Sequence, residues 1–267
     1  MDSKLLAKNI RKDCIVMTAS SGAGHIASIL SIVDILSVLY TKVLRVSPNT
    51  TKDPNRDKFI LSKGHAGCAV YACLGELGFF DRAKLGEYYS KTGTTLSGHV
   101  TNFGNNGVEF STGALGHGIC VAGGIALADK MDKRQSKVYT IVGNGECNEG
   151  SVWEAMMFAS HHKLDNFVVI VDDNQMQAWG DSKQIMDMGN LEAKFEAFGA
   201  CVVTIDGHNH DEIYKACKTP HKGQPLVIIA KTIKGKGLKF LESDPKNHGV
   251  SLKPEMIENA LKEVDAL

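Results

Sequence analysis

Four short runs of aliphatic and β-branched residues dominate the second half of the chain. They cover residues 138–142, 167–171, 201–205 and 226–230. Amphipathic segments of helical length separate them, near residues 150–163, 188–198 and 210–218. Apolar runs of this length are typical of strands that are buried on both faces, and strands that alternate with helices indicate a parallel sheet with right-handed crossovers. We therefore predict an α/β fold, with a mostly parallel sheet and helices on both faces.

The first half of the chain predicts two helices, at about residues 5–20 and 25–44, followed by several loops that contain glycine. Four histidines lie in or beside glycine-containing segments, namely His25, His65, His99 and His117. Glycine lets the backbone approach a ligand closely, and an imidazole can donate a hydrogen bond to phosphate or move a proton. The association of histidine with glycine therefore predicts a ligand site in these loops.

Composition narrows the class of protein. The chain has 267 residues, with 30 Lys and Arg against 30 Asp and Glu, so we predict one domain and no binding to nucleic acid. The first residues lack the apolar core of a signal peptide, and the uncharged stretch between Asp13 and Asp34 has a polar middle. We therefore expect a cytoplasmic protein that does not enter a membrane. The seven cysteines form no Cys-x-x-Cys pair, which favours reduced thiols over disulfides or a zinc site.

The loop at residues 143–150 is the clearest candidate for an anion site. It reads Gly-Asn-Gly-Glu-Cys-Asn-Glu-Gly, follows a predicted strand and precedes a predicted helix. Free N–H groups and the positive end of the helix dipole bind anions at such a position. Asn148 replaces the third glycine of the dinucleotide-binding pattern, and the Gly-Lys-Ser/Thr of a P-loop is missing. The loop therefore predicts a diphosphate that does not belong to a dinucleotide.

Two asparagines suggest a metal ion beside this diphosphate. Asn144 lies in the loop, and Asn174 follows the next predicted strand. Because the carboxyl ends of parallel strands lie at one edge of the sheet, the two amides are expected to converge there. Mg²⁺ binds six oxygens, and amide, carbonyl, phosphate and water oxygens would satisfy it. We therefore predict Mg²⁺, with Ca²⁺ or Mn²⁺ as substitutes.

These residues together resemble the thiamine-diphosphate motif, in which Gly-Asp-Gly is followed, after a helix and a strand, by Asn. More narrowly, the chain is similar to the transketolase family from about Ser21 to Gly249. The similar segments, in the family's order, are residues 21–25, 58–65, 98–99, 109–116, 143–155, 163–166, 206–208 and 231–237. The resemblance implies thiamine diphosphate as the cofactor and a thiamine-diphosphate-binding fold, as a single domain over residues 1–267.

The resemblance also implies roles for individual residues. Asn144 and Asn174 would bind the metal through their side chains, and Met176 through its carbonyl. His25 and His99 match histidines that face the sugar hydroxyls and the path of proton transfer, and His248 joins them as a catalytic residue. The implied cofactor-binding residues are His65, Gly113, Leu115, Gly143, Gly145, Glu146, Asn174 and His248. The histidines expected at the surface or in structural roles are His161, His162, His208, His210 and His221.

The chain departs from the family pattern in three ways. Asn144 stands where the family has aspartate, which predicts weaker metal binding because an amide carries no charge. Ala178 and Trp179 stand where the family usually has Ile-Asp, which changes the packing beside the reacting carbon. His117 replaces a common glutamine and either adds a donor to the substrate pocket or replaces one hydrogen bond by another. Glu149 matches a glutamate at the family's subunit interface, with an exposed residue in the first turn of a helix as the alternative.

The implied reaction is transfer of a two-carbon ketol unit from a ketose to an aldehyde. The resemblance stops before the family's pyrimidine-binding domain, so we expect that domain and the C-terminal domain on a partner subunit, in an α₂β₂ assembly. The substrates are expected to be sugars, phosphorylated ones in particular. Two other functions stay open. One is the diphosphate-binding subunit of a 2-oxoacid dehydrogenase or of a deoxyxylulose-type synthase, and the other is a noncatalytic regulatory subunit.

Overall fold

A five-stranded parallel sheet forms the centre of the protein. The computed structural model describes residues 1–242, 244 and 247–267. Within them the strands are β1 (Lys58–Leu61), β2 (Val138–Gly143), β3 (Phe167–Asp173), β4 (Cys201–Asp206) and β5 (Leu226–Lys231). Their order is β1-β2-β3-β5-β4, and every neighbouring pair is parallel. The four predicted strands are confirmed, but β4 is not buried on both faces as predicted, because it lies at the edge of the sheet. Strand β1 is additional, because its four residues are too few to stand out in the sequence.

Helices connect the strands and cover the sheet. The α-helices are α1 (Ser3–Ser21), α2 (Ile26–Leu30), α3 (Val33–Val38), α4 (Gly67–Glu76), α5 (Leu85–Tyr88), α6 (His117–Met131), α7 (Gly150–His161), α8 (Ser182–Ile185), α9 (Leu191–Ala197), α10 (His210–Cys217) and α11 (Ile257–Asp265). Short 3₁₀ helices occur at Gly64–Ala66, Arg82–Lys84, Gly145–Asn148 and Pro254–Met256, and a π-helical turn at Leu39–Val43.

The sheet separates two apolar cores, because successive side chains of a strand point to opposite faces. Phe59 and Ile141 enter one core, with residues of α1 to α4, α10 and α11. Ile60 and Val142 enter the other, with residues of α6, α7 and α9. The predicted α/β architecture, with helices on both faces of a parallel sheet, is confirmed.

The predicted helix at residues 25–44 is wrong as one continuous element. It is divided into α2, α3 and the π-helical turn Leu39–Val43. At the first break the Ser31 hydroxyl donates hydrogen bonds to the Ser28 carbonyl (3.0 Å) and to Asp172 (2.7 Å). The break between α2 and α3 therefore coincides with a contact to a residue on β3. The apolar periodicity of the segment carries no information about such a contact.

A buried polar cluster joins the loops after β4 and β5 to helices α1 and α3. The Asp34 carboxylate accepts hydrogen bonds from the Arg11 guanidinium (2.6 and 3.1 Å), from His208 Nδ1 (2.7 Å) and from His210 Nε2 (3.1 Å). His208 Nε2 accepts a further bond from the Ile233 amide (2.9 Å). Both histidines therefore have structural roles, as predicted.

One apolar helical run, Ile26–Val43, has the length and composition of a membrane span. Its residues are 89% buried inside the protein. It packs in the core as the central helices of an α/β protein do.

Candidate active site

A cavity of about 410 Å³ opens at the carboxyl edge of the sheet, beside the ends of β2 and β3. Its wall includes parts of the loops that follow these two strands, and residues from several loops of the first half. His117 does not lie on this wall, whereas the predicted catalytic, cofactor-binding and metal-binding residues all do: His25, His65, His99, Gly113, Leu115, Gly143, Asn144, Gly145, Glu146, Asn174, Met176 and His248. The fold therefore brings together residues that are separated by more than 200 positions in the chain.

Four histidines form a cluster on one side of this cavity. The ring centroid of His25 lies 5.1 Å from that of His248, 5.3 Å from that of His65 and 5.8 Å from that of His99. His25 has a φ of 71°, in the left-handed region that non-glycine residues rarely adopt. Backbone strain of this kind is concentrated at functional sites, which agrees with the central position of His25.

The environment of His25, His65 and His248 disfavours positive charge on their rings. Burial lowers the pKa of His25, and burial together with the Lys63 ammonium holds the pKa of His65 well below its usual value. Burial and Lys234 lower the pKa of His248 to about 4. These three rings are therefore neutral at pH 7, so each has one donor and one acceptor nitrogen. The Nδ1 atom of His248 is buried and has no hydrogen-bond partner among the described residues.

A buried ion pair lies behind the cavity. Asp172 of β3 is fully buried and accepts hydrogen bonds from Lys63 Nζ (2.5 Å), from the Ser31 hydroxyl (2.7 Å) and from the Thr232 hydroxyl. Lys63 Nζ also donates to the Ser28 carbonyl (3.2 Å) and lies on the cavity wall. Burial alone would raise the pKa of Asp172, but Lys63 and the hydroxyl donors outweigh it and hold that pKa below its usual value.

The carboxylate of Glu146 points into the protein and stabilises the glycine loop, residues 143–150. It accepts hydrogen bonds from the Ser62 hydroxyl (2.6 Å) and from the amides of Gly116 (2.8 Å) and Gly143 (3.0 Å). Burial raises the pKa of Glu146, although these donors oppose the shift. The contacts fix the loop against the start of α6. The amides of Gly145 and Glu146 lie in the first turn of a 3₁₀ helix, where N–H groups have no helical partner.

The predicted metal ligands are oriented by hydrogen bonds. Asn174 donates from Nδ2 to Asp172 (3.2 Å), and its Oδ1 accepts from the Met176 amide (3.0 Å). Asn144 donates from Nδ2 to the Ser182 hydroxyl (2.6 Å). The NH₂ group of each amide is thus bound to the protein, which leaves oxygen as the group able to meet a cation. Neutral oxygens suit a Mg²⁺ ion that receives its negative charge from a diphosphate, so the residues present fit the metal.

Comparison with known proteins identifies this arrangement. A family model described as "Transketolase, thiamine diphosphate binding domain" matches residues 2–265. The chain belongs to the transketolase family. The resemblance read from the sequence is thereby confirmed, and thiamine diphosphate is the cofactor that this family's domain binds.

Two relatives of this transketolase chain are named as subunits. The 6-deoxy-6-sulfo-D-fructose transketolase subunit SqwG of Clostridium sp. (strain MSTE9) is 39% identical over 99% of this chain and 97% of its own length. A subunit of the apulose-4-phosphate transketolase of Actinobacillus succinogenes is 40% identical over 97% of this chain and 94% of its own. The chain is therefore one part of a split transketolase, which is a transferase, and it works with a partner subunit.

A solved transketolase shows how much of the larger enzyme this subunit represents. The transketolase from Leishmania mexicana superposes with a TM-score of 0.92 at 26% identity, over 99% of this chain and 41% of that one. The fold predicted by the resemblance is confirmed, and the matching part is about two-fifths of the longer enzyme.

Four other residues that the sequence singled out in this transketolase subunit lie in different surroundings. His117 is exposed at the start of α6, and its Nδ1 bonds the Leu115 carbonyl (2.9 Å), so the hydrogen-bond alternative describes it better than a donor in the cavity. Ala178 lies on the cavity wall, whereas Trp179 is 92% exposed. Glu149 is exposed at the start of α7 and also lies on the wall. Its place at an interface stays a prediction.

The sequence interpretation missed the charged groups that support the site. Lys63 follows β1 and pairs with Asp172, and the buried Lys234 donates to the Gln177 carbonyl (3.0 Å). Burial, followed by the nearby Lys63, lowers the pKa of Lys234 to about 8. The signal in the sequence was that both lysines lie in segments similar to the family, next to glycine.

Proposed function

We propose that this transketolase subunit binds thiamine diphosphate with Mg²⁺ in the cavity and transfers a two-carbon ketol unit from a ketose to an aldehyde once a partner completes the site. The observation that carries the proposal is the single cavity that joins the glycine loop, the amides of Asn144 and Asn174 and the four-histidine cluster. No set of three His, Cys, Asp or Glu side chains suited to a metal occurs in the described part of the chain, so amide and carbonyl oxygens are the donors we propose.

The residues of the glycine loop and its neighbours would hold the cofactor. The amides of Gly145 and Glu146 face the diphosphate, since N–H groups at a helix start bind anions, and His65 donates to it. Asn144 and Asn174, with the Met176 carbonyl, bind the metal, and Gly113, Leu115 and Gly143 shape the wall beside the cofactor. When bound, thiamine diphosphate supplies the chemistry that breaks the bond next to the ketose carbonyl.

Histidines of this cluster act on the sugar. A ring with one donor and one acceptor nitrogen can bind a hydroxyl and take or return its proton. His25 lies between His99 and His248, so a proton accepted from a hydroxyl at one ring has a neighbouring ring to move to. We propose that these three residues orient the sugar hydroxyls and transfer protons during bond breaking and bond formation.

The partner, the assembly and the substrates complete the proposal. We propose a partner subunit that carries the pyrimidine-binding domain, in an α₂β₂ assembly in the cytoplasm. The two relatives are named for a sulfonated fructose and for apulose 4-phosphate. A ketose that carries an anionic group, phosphorylated or sulfonated, is therefore the substrate class that we propose.

The test is reconstitution. The tagged chain is used to capture its partner from the lysate of its own cells, with thiamine diphosphate and Mg²⁺ present. The captured complex is then supplied with ketose phosphates, or with pyruvate, together with aldehyde acceptors. We expect ketol transfer from a ketose and none from pyruvate. Capture of a partner without transfer from any ketose phosphate would favour the noncatalytic alternative, and turnover of pyruvate would favour another thiamine diphosphate enzyme.

We predict that Asn144→Asp tightens Mg²⁺ binding in the presence of thiamine diphosphate about tenfold, because a carboxylate adds a negative charge beside the cation. Calorimetric titration of the complex with Mg²⁺ measures the effect. Asn148→Asp adds the same charge to the same loop at a residue that is not a proposed ligand, and it should have a smaller effect. Equal affinities for the wild type and Asn144→Asp would contradict the proposed metal site.

A second prediction concerns protons. The pKa of Lys234 is lowered to about 8, and its charge acts on His25 and His248 of the cavity wall, so a diphosphate bound in the cavity should raise that pKa by favouring the charged form. Lys234 is partly deprotonated near pH 8, so cofactor binding there should take up roughly half a proton. Calorimetry in buffers of different ionisation enthalpy measures this uptake. Lys234→Arg keeps the charge without titrating and should abolish the uptake, whereas uptake that survives in this variant would assign the proton to another group.

A further inference from the structure

The hydrogen bond between Asn144 and Ser182 links two loops that meet at the proposed metal site. Asn144 follows β2 and is 5% exposed, and Ser182 begins α8 and is 8% exposed. The Asn144 Nδ2 group donates to the Ser182 hydroxyl oxygen over 2.6 Å. A buried amide NH₂ needs an acceptor, and this hydroxyl is the acceptor that the structure supplies.

The position of Ser182 is itself fixed by the loop after β3. The Ser182 amide donates to the Gln175 carbonyl (2.9 Å), and Met176 pairs with Asp181 in an antiparallel bridge. The Asp181 carboxylate caps α8 by accepting from the Lys183 amide (2.7 Å). The backbone contacts that bring Met176 to the cavity therefore also hold the Ser182 hydroxyl against Asn144.

The side chain of an asparagine has two chemically different orientations, whereas the two carboxylate oxygens of an aspartate are equivalent. Its amide can present either oxygen or NH₂ to a ligand, and only the oxygen attracts a cation. The amide orientation of Asn174 is set by Asp172, which accepts a hydrogen bond from its Nδ2. We infer that Ser182 is a positioning residue for Asn144, because by accepting from the buried Nδ2 it stabilises the orientation in which Oδ1 is left to face the metal. The inference rests on the proposed metal site.

A hydroxyl can donate as well as accept, which makes the inference testable. In the Asn144→Asp variant both side-chain atoms are oxygens, so the Ser182 hydroxyl donates and no choice of orientation remains. Ser182 should therefore matter for metal binding when residue 144 is asparagine and much less in the Asn144→Asp background. A role of Ser182 in the folding of its loop alone would be the same in both backgrounds.

The experiment is a double-mutant cycle on the complex with its partner subunit. Mn²⁺ is titrated in the presence of saturating thiamine diphosphate, and free Mn²⁺ is followed by its EPR signal, which does not depend on turnover. We expect Ser182→Ala to raise the dissociation constant of Mn²⁺ about tenfold and to change it less than about twofold in the Asn144→Asp background. Ser182→Thr, which keeps the hydroxyl, should stay close to the wild type.

The outcomes separate the inference from the function. Equal weakening by Ser182→Ala in both backgrounds, or no weakening in the wild-type background, would overturn the role of Ser182 while the metal site stands. A wild-type complex that binds no Mn²⁺ with thiamine diphosphate would overturn the proposed metal site and the inference with it. Thermal unfolding of each variant shows that the compared proteins are folded.

Discussion

Asp172→Asn is expected to reduce the free energy of unfolding by about 3–5 kcal/mol, because it leaves the buried Lys63 ammonium without its carboxylate. Asp172 is fully buried and Lys63 is 2% exposed. With so little exposure, water compensates poorly for the lost carboxylate, and the Ser28 carbonyl is an acceptor that Lys63 would keep. Urea unfolding, followed by circular dichroism, measures the effect.

A matched control uses an exposed ion pair. Asp132→Asn removes one of the two carboxylate partners of Arg134, over a contact of 2.6 Å, at a side chain that is 54% exposed. Its cost should stay below about 1 kcal/mol. Adding Lys63→Met to Asp172→Asn removes both charges and should recover part of the lost stability. A loss in Asp172→Asn no larger than in the surface control would show that the buried pair does not stabilise the protein.

The same pair predicts the direction of the dependence on pH. The pKa of Asp172 is below its usual value in the folded protein, so the unfolded chain binds this proton more readily than the folded one. The stabilisation is present above the ordinary pKa of an aspartate, about 4, and is lost as the pH falls through the lower folded value. The wild type should therefore lose stability relative to Asp172→Asn as the solution is acidified below about pH 4.

Glu146→Gln is expected to weaken thiamine diphosphate binding at least about tenfold and to destabilise the protein by about 1–3 kcal/mol. The carboxylate accepts from three donors, on Ser62, Gly116 and Gly143. A glutamine replaces one of the oxygens by NH₂, so in either orientation a donor faces a donor. The glycine loop then loses a fixed position, although its sequence is otherwise unchanged.

Calorimetric titration of the complex with thiamine diphosphate, together with thermal unfolding, checks this prediction. Glu154→Gln makes the same chemical change on α7, at an exposed side chain, and should leave both quantities near their wild-type values. Cofactor affinity that is equal in Glu146→Gln and Glu154→Gln would show that the loop holds its shape without the buried carboxylate.

Local pattern was enough to predict the sheet and the placement of the site. The runs that became β2, β3 and β5 are apolar because both faces of a central parallel strand are covered, whereas β4 lies at the edge of the sheet and is only partly buried. Asn144 and Asn174 could be placed together from sequence because each follows a strand, and parallel neighbours end at the same edge. The motif segments supplied the histidines, since a short loop with glycine and histidine is recognisable wherever it lies.

The supporting contacts could not be predicted because their partners are distant in the chain. Ser182 lies 38 residues from Asn144, Ser62 lies 84 residues from Glu146, and Lys63 lies 109 residues from Asp172. Ser182, Ser62 and Lys63 are common residue types. Each contributes to the site only through the atom that it contacts in the folded protein. The break in the predicted helix at 25–44 has a similar origin, since Ser31 bonds to Asp172 on another element.

The sequence by itself therefore determined the α/β architecture, the diphosphate loop and the family, because periodicity and motif order are properties of neighbouring residues. The tertiary structure alone decided which buried groups carry charge, which way an amide points and which histidines share one cavity. These depend on distances between elements, on exclusion of water and on the pairing of every buried donor with an acceptor.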